Sequence, residues 1–430
     1  MSKYYFKDGQ FVIEDYDQQK TFTSFLPGIA GLKGIPIWAF YVNRGQGIAS
    51  FGVQDKNGAI MEFSPANVAY QNVSRTGFRT FIKINGQVYE PFGVHTRDKN
   101  IHRQMKISQS QFAISEINND AGYQIDVTYF GLPQEPFAAL VRTVQIKNIH
   151  HVSLEFEVVH GMPQLLPYGI DYNSTKWVSN LMQSWMEVEK KENIAFYRLR
   201  STTDDSAEVG MISRGNFYYS FTDDGVVEPL VDPKLIFGYD TSLTNPIQFI
   251  KSSIDEIQKM KELRVNQLPA GLTLTKKTLK ENETIMIYTL IGQVADFQVI
   301  QNMRFKFTPD YIKHKQKECH EIIQQITDDI STKTSSPIFD AYSRQSYLDN
   351  ILRGGYPIFI DNKNKGFIYY VYSRKHGDLE RDYNWFETAP EFYSQGNGNF
   401  RDMNQNRRND ALFHPYVGTH NIKTFMNLIQ

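Results

Sequence analysis

The sequence predicts a large antiparallel β-sandwich followed by helices, and three observations predict it. Through about residue 305, alternating apolar runs are separated by turn-forming Asn, Asp and Gly, with little helical pattern between them. Near that residue the apolar spacing changes from a period of 2 to one of about 3.6, the repeat of a helix. The 430 residues leave ample core for more than one domain. The divisions read from this pattern are 1–305 as β-sandwich, 306–335 as a helical linker and 336–430 as a helical region.

Residues 80–89 carry Asn85-Gly86 between β-formers, the strongest short hairpin signal because both positions tolerate positive φ. Further hairpins are predicted at 47–63, turning at Lys56-Asn57-Gly58, and at 111–130, turning through residues 118–122. Three more are predicted at 139–159 around residues 147–151, at 208–221 around Arg214-Gly215-Asn216, and at 272–292 around Glu281-Asn282. So many antiparallel pairs without interleaved helices indicate a sandwich. Residues 174–190 are the exception. There Trp177, Leu181, Met182, Trp185 and Met186 keep helical spacing and are assigned to the core. A weaker helical pattern covers 252–263.

Thr308-Pro309-Asp310 reads as an N-cap, a proline at the first helical position and an acid in the first turn. From there Ile312, Cys319, Ile322, Ile323, Ile326 and Ile330 form one apolar stripe, which makes Cys319 a small core residue. Residues 331–336 are a polar break, after which Phe339, Tyr342, Leu348, Ile351 and Leu352 resume helical register. Gly354, Gly355 and Pro357 stop that helix, and a short strand is predicted at 367–373. In the last ten residues Ile422, Phe425, Met426 and Ile429 share one helical face. A face of that kind needs packing, so the expectation is a longer polypeptide or a partner that covers it.

Composition excludes several classes of function. With 46 basic and 47 acidic residues the net charge is -1, which offers no field for nucleic acid or an anionic membrane. The single cysteine rules out an intramolecular disulfide and fits a reducing, cytoplasmic compartment. The N-terminus lacks the basic-then-apolar layout of a secretory signal. The most apolar run, residues 26–42, is broken by Lys33, prolines and glycines, whereas a spanning helix needs about 20 apolar residues. Arg44-Gly45-Gln46-Gly47 lacks the third glycine of a dinucleotide loop and reads as a turn. His150-His151 has no acid or thiol at metal spacing, and no metal site is expected there.

The densest polar chemistry lies at 396–410, GNGNFRDMNQNRRND, preceded at 381–387 by RDYNWFE. Arginine forks, amides and carboxylates are the donors and acceptors that a hydroxyl-rich ligand needs, and a Trp face stacks on a pyranose ring. The candidates for substrate binding are Arg401, Asp402 and Gln405, then Trp385, Glu387, Arg407 and Asp410. The competing reading is a polar loop closed on itself through Asx-turns, and Arg381 and Asp382 are expected to form an ion pair that shapes the site from behind.

Several runs resemble a known group. They are GIAG (28–31), GIPIW (34–38), YVNRGQG (41–47), Phe51-Gly52, GDLERDYN (377–384) and SQGNGNFRDMNQNRRND (394–410). Together they are similar to inverting glycoside phosphorylases: the β-1,3-glucan phosphorylases of glycoside hydrolase family 161 and the cellobiose phosphorylases of family 94. The resemblance runs from about residue 20 to the end. It implies an N-terminal β-supersandwich, a helical linker and an (α/α)6 barrel, so that 336–430 is the start of a truncated catalytic barrel. It implies a β-glucan oligosaccharide and inorganic phosphate as co-substrates, no other cofactor, α-glucose 1-phosphate as product, and a homodimer through the sandwich. Arg401, Asp402 and Gln405 match the stretch of family 94 that holds the cleaved sugar, although Asn406 stands where that family has Asp. The proton donor and phosphate pocket of the family lie in later barrel segments, so the catalytic residues are unknown and this chain alone is expected to be inactive. A non-catalytic carbohydrate-binding or structural remnant and an inverting glycosidase, with Glu387 as its second carboxylate, are the alternatives.

Overall fold

The computed structural model describes residues 3–28, 31–94, 100–202, 207–208, 210–361, 366–372, 387–396 and 400–429. An eleven-stranded antiparallel sheet dominates them. Its central strands are Gln111–Asn118, Tyr123–Gly131, Ala138–Asn148, Thr284–Val294 and Gly215–Thr222, in that spatial order. Two four-stranded sheets are stacked against it. One orders Gly271–Leu279, Leu154–Met162, Arg79–Ile84 and Gln87–Tyr89; the other orders Thr23–Leu26, Ile37–Val42, Ile48–Val53 and Ala59–Met61.

Strand Gln111–Asn118 alternates half-buried and buried residues along its whole length, as a strand with one face on a core must. Ile114, Ile125, Val127, Leu140, Val144 and Ile287 of the large sheet meet Phe51, Phe78, Ile82, Phe156 and Val158 of the smaller ones. The opposite face of the central strands is covered by helices. Val141, Phe217 and Leu290 pack with Ile312, Cys319, Ile322 and Ile323 of helix Pro309–Thr327, and with Leu348, Ile351 and Leu352 of helix Pro337–Gly354. Strand Ala138–Asn148 records this directly, buried at every residue in its first half and alternating in its second.

The expected caps are present. Thr308 accepts from the Tyr311 N–H at 3.2 Å with Pro309 following, and Ser336 caps the next helix at the Phe339 N–H. The Asn85-Gly86 hairpin forms with both residues at positive φ, and the turns at Lys56-Asn57-Gly58 and 118–122 also join neighbouring strands.

Three of the six hairpins are corrected. Ala138–Asn148 and Leu154–Met162 lie in different sheets, as do Gly271–Leu279 and Thr284–Val294. Both connections are arches that carry the chain across the sandwich, and they lie side by side. Buried Asn148 laces them, accepting from the Asn282 N–H at 2.8 Å and donating to the Leu279 carbonyl at 2.9 Å. Alternation identifies a strand but not its partner, and four- or five-residue connections suit a hairpin or an arch equally. At 208–221 no strand precedes Arg214 among the described residues; Gly215–Thr222 pairs instead with Gly225–Val227 and Ile194–Leu199.

Residues 174–190 also differ from expectation. Two short helices, Tyr172–Trp177 and Ser179–Gln183, lead into strand Met186–Lys191. Met182 and Met186 are buried, but Trp177 is 84% exposed and Leu181 61%, so the indole assigned to the core lies on the surface. Helical spacing places residues on one face without saying what covers it. Phe339 and Tyr342 are likewise exposed, because the linker helix meets only the later turns of Pro337–Gly354. Cys319 is fully buried, and His150 and His151 are exposed, His151 pairing with Glu281. No helix among the described residues is long and apolar enough to cross a membrane.

Candidate functional site

Beyond Gly354 the chain forms a hairpin, Tyr356–Ile360 with Phe367–Val371, and then helices Phe400–Arg407 and Asp410–Phe413. Helix Phe400–Arg407 crosses the end of Pro337–Gly354 closely enough that a Cβ on Gly354 would lie 2.7 Å from that of Asn406. Arg407 is buried at this crossing. Its guanidinium sits 3.7 Å over the Tyr370 ring, and its Nε–H donates to the Gly354 carbonyl at 2.6 Å. Asp410 is buried next to it, accepting from the Tyr370 hydroxyl at 2.6 Å and from Asn421 at 3.3 Å. Burial raises its carboxyl above the usual range, against the lowering effect of those hydrogen bonds and of Arg407.

A cavity of about 600 Å³ opens where the end of the linker, helix Pro337–Gly354 and the two later helices meet. From the polar run of the sequence, Asn406, Asn409 and Asp410 reach its wall. Facing them are Asp328 and Asp329 from the end of the linker, and Ser343, Ser346 and Asn350 from the helix. Tyr342, Tyr347 and Phe413 supply aromatic surface. Carboxylates accept, amides and hydroxyls both donate and accept, and rings cover C–H faces, which is the complement of a pyranose.

The seven sequence candidates are dispersed. Asp410 lines the cavity, and Arg407 braces the wall from behind. Gln405 is exposed to solvent. Glu387 lies elsewhere, accepting from the Gln54 side chain while the Thr388 N–H donates to the Gln54 carbonyl at 3.1 Å, which ties this segment to the sandwich. Arg401 and Asp402 belong to helix Phe400–Arg407 by backbone alone; their side chains lie outside the described residues, as do Trp385, Arg381 and Asp382.

Sequence reasoning missed Asp328, Asp329, Tyr347 and His414. A signal for the first two was present. Paired aspartates at the C-terminal end of a helix face the negative end of its dipole, a placement with a local cost. Asp328 is compensated by Arg344 at 3.0 Å. Asp329 instead accepts from the Tyr347 hydroxyl at 3.0 Å, and that hydroxyl also meets His414 Nε2 at 2.7 Å. Burial and then the nearby Asp329 carboxylate raise the Tyr347 phenol, while burial lowers His414 and Asp329 opposes that shift.

No protein-family model matches the chain, and no curated protein matches it in sequence. Among solved structures it is similar to a bacterial glucoamylase complexed with acarbose, at 9% identity and a TM-score of 0.38, covering 87% of this chain and 47% of that one. It is also similar to a protein described as a kojibiose phosphorylase from the human microbiome, at 8% identity and TM-score 0.29, covering 83% of this chain and 40% of that one. A galactose mutarotase-like protein from Clostridium acetobutylicum follows, at 11% identity and TM-score 0.32, covering 67% of this chain and 99% of that one. The chain therefore spans less than half the length of the first two.

Proposed function

We propose that the chain binds a β-linked glucose oligosaccharide in this cavity and is the N-terminal part of an inverting glycoside phosphorylase. The observation that carries the reading is the convergence of Asn406, Asn409 and Asp410 with Asp328, Asp329 and Tyr342 around one cavity. These groups come from three separate parts of the chain and match the hydroxyl edge and C–H face of a sugar ring. The motif resemblance at 377–384 and 394–410 supports the phosphorylase assignment. In that reaction one carboxylic acid protonates the leaving oxygen while phosphate attacks the opposite face. Phosphate is already an anion, so the second carboxylate of an inverting hydrolase is dispensable. The general acid and the phosphate ligands are assigned to no residue described here.

The test is calorimetric binding of a β-1,3-linked glucose trimer and a β-1,4-linked dimer to the purified chain and to an Asn406→Ala/Asn409→Ala variant. Each amide makes hydrogen bonds of about 0.5–1.5 kcal/mol net, so the double variant is expected to bind roughly tenfold more weakly. Equal affinity for both proteins, or no saccharide binding by either, rules the cavity out.

A further inference from the structure

Asp329 does not stand alone in the cavity wall. Its Oδ2 accepts from Tyr347, Tyr347 contacts His414 Nε2, His414 Nδ1 contacts the Tyr416 hydroxyl at 3.2 Å, and Tyr416 donates to the Pro357 carbonyl at 3.0 Å. The chain has four hydrogen bonds, and both of its ends are acceptors without a proton to give. Tyr347 and Tyr416 bring one proton each. A neutral imidazole brings one more, which leaves one of the four bonds without a hydrogen. An imidazolium brings two, and all four bonds are then made.

We propose that Asp329 is a saccharide-binding residue of the cavity, and that Tyr347, His414 and Tyr416 position it through a hydrogen-bond chain completed only when His414 is protonated. This rests on the saccharide reading of the cavity and deepens it by assigning a binding residue, three positioning residues and a proton dependence. The groups facing His414 agree with it. Asp329 from the linker lies 3.9 Å from Nε2, Tyr347 comes from the long helix, and the Tyr356 ring of the hairpin meets the imidazole edge-on at 5.6 Å. On its own segment, Tyr416 contacts Nδ1, and the His414 backbone N–H donates to the Asp410 carbonyl at 2.6 Å, closing the short helix that carries Asp410 into the wall. No cationic side chain touches the imidazole among the described residues. Burial opposes the charge, so protonation falls below the ordinary histidine range, and the chain is one proton short at neutral pH. Acid therefore orders the wall and fixes the carboxylate that accepts from the sugar.

The experiment combines two readouts on the intact chain. Affinity for the β-1,3-linked glucose trimer is measured by calorimetry between pH 8 and pH 5, with proton uptake on binding taken from buffers of different ionisation enthalpy. The wild-type chain is expected to bind several-fold more tightly at pH 5 and to take up a fraction of a proton on binding in the lower part of the range, where His414 titrates. Tyr347→Phe removes the first two bonds of the chain, and is expected to weaken binding and to flatten the pH profile with the folded state retained. Asp329→Asn is expected to weaken binding most at pH 5, by about tenfold, and so to remove the acid enhancement. The second readout needs no ligand. NMR titration of the His414 ring is expected to show a lower pKa in Tyr416→Phe, where the imidazolium has lost an acceptor. Trimer binding that is independent of pH, or an unchanged His414 titration in Tyr416→Phe, overturns the hydrogen-bond chain while leaving the saccharide site standing. Absence of any saccharide binding removes both.

Discussion

Arg142→Ala is expected to destabilise the β domain by about 3–5 kcal/mol, the cost of a buried void together with several buried acceptors left without a donor. Arg142 lies at the centre of the sandwich with no exposed surface. Its guanidinium donates to Tyr129 Oη at 3.2 Å, His160 Nδ1 at 2.6 Å, Gln46 Oε1 at 2.5 Å and Thr80 Oγ1 at 3.3 Å, and it sits 5.1 Å over the Phe78 ring. No carboxylate is among these partners, so the charge is held by neutral acceptors and ring faces. Truncation leaves those acceptors buried without a donor and adds a void, two costs of the same sign. Arg142→Met fills much of the volume and is expected to lose less. Urea denaturation of the three proteins gives the comparison, and a shift in Arg142→Ala within about 0.5 kcal/mol of wild type, the range of an ordinary surface substitution, would contradict the assignment.

Acid is expected to loosen the same core through His160. Because Arg142 donates to Nδ1, that nitrogen must carry a lone pair, and the ring proton sits on Nε2, which is buried without a partner among the described residues. Burial and the adjacent guanidinium hold the imidazole well below its ordinary range. The sign follows from the proton counts. Below the unfolded-state pKa of about 6.5 the unfolded chain takes up a proton that the folded chain refuses, so stability falls as pH falls. The slope approaches about 1.4 kcal/mol per pH unit and persists down to the folded-state pKa, while above pH 6.5 this contribution is flat. His160→Gln removes the titrating group. Unfolding free energies at pH 7.5, 6.0 and 5.0 are therefore expected to converge between variant and wild type as the solution is acidified. Parallel curves would show that His160 is not the sensor. The direction is opposite to that proposed at His414, so the two histidines are separable by their readouts.

Local chemistry was legible in the sequence. Asn85-Gly86 had to turn because both residues accept positive φ, and Thr308-Pro309 had to open a helix because it satisfies orphan N–H groups where a proline is tolerated. The stripe from Ile312 to Ile323 had to find an apolar surface, and Cys319 went with it. The polar run near the C-terminus was recognisable as unusual, and part of it does reach a cavity wall. Which strand pairs with which was not legible. The 149–153 and 280–283 connections are arches because the strands that flank each of them pair with other segments of the chain and not with each other, and alternation carries no address. Trp177 keeps the spacing of a core residue and is exposed because nothing in the described structure covers that face. At the site, tertiary packing decided the roles. Arg407 became a buried brace, whereas Asp329, Tyr347 and His414, separated by up to 85 positions, were joined into one hydrogen-bonded chain. Backbone preferences are short-ranged and are written into adjacent residues, while hydrogen-bond partners and burial depend on which distant segments the fold brings together.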